Sequence, residues 1–207
     1  IKALASGLHA SFQRIQFTPD LMPSDLTGSD MLDPKTTTFN FSQGPLFHEI
    51  ILADEINRAP PKVQSALLEA MEEHQVTVGN QTHTLPDLFI VMATQNPLEQ
   101  AGTYPLPEAQ VDRFMMKIKV DYPSAEEEKE IVKRTRSGIS RNAAPVVEVS
   151  ALASARETLN DIHMEDRLLD YIVRLTGATR NPAEFKLDID SMISYGVSPR
   201  ASIWLEA

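Results

Sequence analysis

Ile50-Ile51-Leu52-Ala53-Asp54-Glu55 is the stretch that decides how this chain is read. Four continuous apolar residues mark a strand buried on both faces of a parallel sheet. Two adjacent carboxylates end it and so stand at the carboxyl edge of that sheet, where open α/β folds bind ligands. There Asp54 can hold Mg²⁺ through water, and Glu55 can polarise an attacking water. A buried strand that simply ends in solvated acids is the competing reading of the same six residues.

Downstream, Pro60-Pro61 opens a helix with Val63, Ala66, Leu67, Ala70 and Met71 on one face. Val76-Thr77-Val78 and Gln81-Thr82-His83 flank Gly79-Asn80, the pattern of a hairpin with a two-residue turn. A second buried strand is predicted over Leu88 to Thr94, followed by Gln95-Asn96-Pro97. Amides at such a strand end, Asn96 among them, can orient a water or a phosphate oxygen, although Asn-Pro starts a turn on its own. Asp112-Arg113-Phe114 precedes a third predicted strand, Met116-Lys117-Ile118-Lys119-Val120. An arginine at a sheet edge can deliver planar charge to a transferring phosphoryl group; an ion pair between Arg113 and Asp112 is the alternative.

Upstream, Ile1, Leu4, Ala5 and Leu8 fall at helical spacing, and Phe12 to Phe17 reads as a short strand. Residues 18–47 are rich in Pro, Asp, Thr and Ser, with a hairpin expected around Asp33-Pro34 and the alternating Phe39-Asn40-Phe41. The first residues already have helical periodicity and no initiator Met, so the 207 residues are read as part of a longer chain.

At Tyr122-Pro123-Ser124 the pattern changes. Ser124 and Glu127 form a capping-box sequence, and helices are predicted over 125–136, 150–160, 165–178 and about 199–207. The expected organisation is an α/β domain over 1–121 and a small all-helical domain over 122–207. In the last helix Ser198 is a natural N-cap and Pro199 a natural N1, which puts Arg200 in the first turn. The helix dipole disfavours a cation there. A phosphate shared by the helix N-terminus and the guanidinium would account for it, with a surface accident as the alternative.

Composition narrows the function classes. There is no cysteine, which excludes a disulfide framework and Cys-bound zinc and fits a cytoplasmic protein. Nineteen basic against 29 acidic residues give a net charge of −10, so the electrostatic footprint of a nucleic-acid binder is missing. The longest apolar run, Leu88 to Ala93, is far too short to span a membrane, and no export signal opens the chain. The five histidines show no i, i+4 pair, and no Ser or Thr stands in a nucleophile-elbow context. Asp54, Glu55, Asn96, Arg113 and Arg200 together point to phosphoryl chemistry, yet none of the eight glycines is followed by Lys, so residues 1–207 hold no Walker A loop.

Longer strings carry a resemblance. Arg14-Ile15-Gln16-Phe17-Thr18-Pro19-Asp20-Leu21-Met22-Pro23-Ser24-Asp25-Leu26-Thr27-Gly28 resembles the MoxR family of AAA+ ATPases. So do Gly44-Pro45-Leu46-Phe47, the run from Leu52 through Asp54-Glu55 to Lys62, and Ala93-Thr94-Gln95-Asn96-Pro97. Thr103 to Phe114 and Gly196-Val197-Ser198-Pro199-Arg200-Ala201 complete the match. The resemblance implies a AAA+ module of the helix-2-insert clade that works as a ring, most often a hexamer, with ATP and Mg²⁺ as cofactors. It implies Asp54 and Glu55 as the Walker B pair and Asn96 as sensor 1. It further implies Arg113 as a finger reaching the neighbouring subunit's ATP and Arg200 as sensor 2 on a helical lid. Residues 20–45 resemble the helix-2 insert and 76–84 the hairpin before sensor 1. The function so implied is chaperone-like remodelling or metal loading of client complexes, alongside von Willebrand factor A-domain partners. A magnesium-chelatase-like motor subunit, a nucleic-acid motor and a nucleotide-dead scaffold are the alternatives.

Overall fold

A computed structural model of the chain describes residues 1–96, 102–136, 143–159 and 161–206. Pro97, Asn160 and Ala207, which fall within predicted features, lie outside the described residues. A short helix α1 (Lys2–Gly7) leads into β1 (Phe12–Gln16). Next come α2 (Pro23–Thr27), β2 (Gly28–Asp33) and β3 (Thr38–Gln43), and then the decisive strand β4 (Ile50–Asp54). Helix α3 (Pro61–Glu73), the hairpin β5 (Gln75–Val78) and β6 (Gln81–Thr84), β7 (Ile90–Ala93) and α4 (Glu108–Val111) follow. The rest is helical: α5 (Ala125–Arg136), α6 (Val149–Leu159), α7 (Asp166–Arg180) and α8 (Pro199–Glu206), with two 3₁₀ turns before α8.

The central sheet has the order β1-β4-β7 and both pairings are parallel. Its middle strand reads apolar without alternation because side chains above and below it are both covered: Ile50, Ile51 and Ala53 are fully buried. Around β4 gather Ile15 and Phe17 from β1 and its exit, Leu26 of α2, and Val63 and Leu67 of α3, forming one hydrophobic cluster. The parallel arrangement brings the carboxyl ends of three strands to one edge, with Gln16 opposite Asp54 and Ala53 opposite Ala93.

Three expectations need correction. Met116 to Val120 is irregular, not a strand, and Ile118 and Val120 are 75% and 87% exposed. A strand is held by its ladder; among the described residues no partner pairs with this segment, and β7 pairs on one edge only. For the same reason the second strand is half-buried along its length rather than buried. The buried stripe of α3 is also rotated, taking in Gln64 and Leu68 beside Val63, Leu67 and Ala70, while Ala66 and Met71 are only partly covered.

The two-residue hairpin turn is present, with Gly79 at a positive φ of 60° as that turn requires. So is the hairpin near Asp33-Pro34, which pairs Asp33 with Thr38. The Ser124 and Glu127 side chains cap reciprocally: the Ser124 amide donates to Glu127 at 2.8 Å, and the Glu127 amide donates to the Ser124 hydroxyl at 3.3 Å.

Candidate active site

Asp54 is the last residue of β4, and Glu55 turns the chain sharply by adopting left-handed backbone angles (φ 57°, ψ 48°). A non-glycine residue held there stores strain that its surroundings must offset. Thr94, one residue past β7, does so: its hydroxyl accepts the Glu55 amide at 2.9 Å, and its carbonyl accepts the Ile56 amide at 3.0 Å. The same hydroxyl donates to Asp54 Oδ1 at 2.5 Å. The turn thus separates two sequence-adjacent carboxylates into different surroundings.

Strand β1 supplies the remaining partners. Arg14 grips Asp54 Oδ2 with two guanidinium nitrogens, Nε at 2.9 Å and Nη2 closer still. Its Nη2 also donates to Gln16 Oε1 at 3.1 Å, and Gln16 Nε2 donates to Glu55 Oε2 at 3.0 Å. Arg58 reaches the same Glu55 oxygen at 3.2 Å. Asp54, Arg14, Gln16, Glu55 and Thr94 therefore form a closed hydrogen-bonded circuit across the ends of three strands. The Thr94 hydroxyl and then the Arg14 guanidinium hold the Asp54 carboxyl below the ordinary carboxylate range. Neither Arg14, Gln16 nor Thr94 was singled out by sequence reasoning; the available signal was the alternation of Arg14 and Gln16 with apolar Ile15 and Phe17 on a strand.

Gln64 fixes this edge from beneath. Its buried amide donates to the Ile56 carbonyl at 3.1 Å and to the Tyr104 carbonyl at 2.9 Å, tying the turn after Glu55 to the loop before α4. The Tyr104 amide donates back to the Asn57 carbonyl at 2.6 Å.

The remaining expected residues divide into two places. Asn96 lies three residues past β7, half-buried, on the same sheet edge as Asp54. Arg113 and Arg200 instead meet at the far end of α3. Arg113 Nη1 donates to the Leu68 carbonyl at 2.8 Å, and its Nε stands 3.4 Å from Glu72. Arg200 donates to Glu72 at 2.5 Å and to Asp112 at 3.2 Å, so the ion pair considered for Arg113 belongs to Arg200. Ser198 accepts the Arg200 amide at 3.1 Å, the N-cap contact that the sequence led us to expect.

The segment carrying Arg200 is held by α7. Arg180 Nε donates to the Val197 carbonyl at 2.7 Å, Thr179 Oγ1 accepts the Val197 amide at 3.1 Å, and Gly196 lies so close that a Cβ there would come within 2.6 Å of Arg180 Cα.

A three-stranded parallel sheet with paired carboxylates at its carboxyl edge places the chain among the open α/β folds that bind ligands at that edge. The family described as "ATPase family associated with various cellular activities (AAA)" matches residues 1–116. The chain is 44% identical to the chaperone MoxR1 of Mycobacterium tuberculosis, over all of this chain and 55% of that one. It is 46% identical to the uncharacterized protein YeaC of Bacillus subtilis, over 99% of this chain and 62% of that one. The protein MoxR of Paracoccus denitrificans is 30% identical over all of this chain and 68% of its own length. A solved structure of a candidate ATPase from Cytophaga hutchinsonii superposes with a TM-score of 0.88 at 47% identity, covering 98% of this chain and 62% of that one. The chain belongs to the MoxR family of AAA+ ATPases. It spans 55% to 68% of the length of these relatives. Among the described residues no helix is long and apolar enough to cross a membrane.

Proposed function

We propose that the chain carries the hydrolytic half of a MoxR-type ATPase, a ring-forming chaperone that remodels client protein complexes or loads their metal centres. The observation that supports this most directly is the circuit at the sheet edge, which presents Asp54 and Glu55 side by side in two different hydrogen-bonding surroundings.

The residues fit Mg²⁺. No group of three or more His, Cys, Asp or Glu able to hold a metal occurs among the described residues. One partly exposed carboxylate with a hydroxyl beside it suits an ion that keeps most of its waters and shares the rest with phosphates. Asp54 would hold that ion, which when bound supplies charge neutralisation to the phosphates. Glu55, held by a neutral amide and Arg58, orients water and accepts its proton. Asn96 is assigned to hold the water or the γ-phosphate oxygen from the neighbouring strand end.

Arg113 acts in trans on this reading and has to leave Leu68 and Glu72 to do so; Arg200 similarly exchanges Glu72 and Asp112 for phosphate. Residues from 122 onward form the helical lid. Nucleotide binding is proposed for the whole protein, since the phosphate cradle is not among these 207 residues. The partners on this reading are further copies of the chain, von Willebrand factor A-domain proteins and the clients.

The test is Glu55→Gln in the full-length protein. ATP binding is expected to persist while hydrolysis falls by a factor of about 10² or more, the scale of a lost general base. Undiminished hydrolysis overturns the assignment.

A further inference from the structure

The Arg14–Asp54 contact has no assigned role in hydrolysis, yet it covers the carboxylate that the proposed function needs for Mg²⁺. Both guanidinium contacts fall on Oδ2 while Thr94 takes Oδ1, so each carboxylate oxygen already has a donor. A hydrated dication competes with the guanidinium for the same carboxylate, and a guanidinium sitting on it adds like-charge repulsion. Arg14 is poised to leave. Its side chain is 59% exposed, it rises from a strand at the edge of the sheet, and its bonds end on side chains rather than on buried backbone. Asp54, by contrast, is 21% exposed and fixed from the other side by Thr94.

We propose that Arg14 is a counter-ion gate: it neutralises Asp54 until Mg²⁺ arrives with nucleotide and must be displaced for the ion to bind. The inference rests on the reading of Asp54 as the Mg²⁺ residue. Because Arg14 also bonds Gln16, and Gln16 bonds Glu55, its departure frees one acceptor of the amide that holds the second carboxylate.

The experiment titrates free Mg²⁺ against binding of a fluorescent non-hydrolysable ATP analogue to the full-length protein, with no turnover involved. Arg14→Ala removes the competitor, so the Mg²⁺ concentration for half-maximal binding should fall about five- to tenfold, the scale of a charge-assisted contact at a partly exposed site. Arg14→Gln, which keeps most of the volume without the charge, should shift it the same way. A midpoint that is unchanged or raised in both variants overturns the gate and makes Arg14 a fixed support for Asp54. Asp54→Asn separates the two levels of the argument: Mg²⁺ dependence should be lost in that variant. If it stays at the wild-type midpoint, the assignment of Asp54 as the metal residue fails, and the gate with it.

Discussion

Replacing Gln64 by Met isolates how much the buried amide contributes to holding the candidate site's edge in place. Gln64 is 1% exposed on a helix whose neighbouring buried positions are apolar, so its polarity has to be explained by the two carbonyls it serves. Met fills nearly the same volume, which keeps the cavity contribution near zero. The Ile56 carbonyl then loses its donor in the core, costing about 1–3 kcal/mol, while the Tyr104 carbonyl, nearer to solvent, adds about 1 kcal/mol or less. Burying a thioether instead of an amide returns part of this, leaving a net loss of about 1–3 kcal/mol. Urea unfolding of the full-length protein followed by far-UV circular dichroism measures the loss, and limited proteolysis should show faster cleavage near Tyr104. A Gln64→Met protein within 0.5 kcal/mol of wild type refutes the reasoning, because the two bonds would then contribute nothing net.

Two other perturbations test the frame around the site. Gly196→Ala places a methyl group against Arg180 Cα and the Thr179 carbonyl, neither of which can swing away. The expected cost is about 1–3 kcal/mol together with loosened α8, read as faster proteolysis of the segment that carries Arg200; wild-type resistance would remove the idea that α7 sets that segment's pose. The depressed Asp54 carboxyl gives a pH dependence of definite sign. Its folded-state pKa lies below the unfolded one, so its contribution to stability is complete above the ordinary carboxylate value of about 3.9 and is lost as pH falls through the folded value. Thr94→Val removes the largest cause of that shift, so the stability gap to wild type, measured by urea unfolding, should be wider at pH 6 than at pH 3. A gap independent of pH would mean that Thr94 acts only through the Glu55 amide.

What the sequence made legible follows from which forces are local. The run Ile50 to Ala53 needs no alternation because both faces of β4 are covered, so its burial could be read from composition alone. Helices α5 to α8 came within two residues of their expected limits, since capping residues and helical periodicity act inside a single segment. Met116 to Val120 failed because its apolar alternation says only that it suits a strand; pairing depends on a neighbour. The circuit failed to show for a related reason. Arg14 meets Asp54 across 40 residues only once β1 docks with Gln16 opposite Asp54, and Arg200 takes Asp112 from Arg113 across 88. Two adjacent acids in a sequence announce a shared edge and nothing about their difference. That difference comes from the left-handed turn at Glu55, which sends one carboxylate to a guanidinium and a hydroxyl and the other to a neutral amide and Arg58. On the proposed reading the first meets the cation and the second the attacking water, and what sets the two acids apart in the fold is the backbone of a single residue.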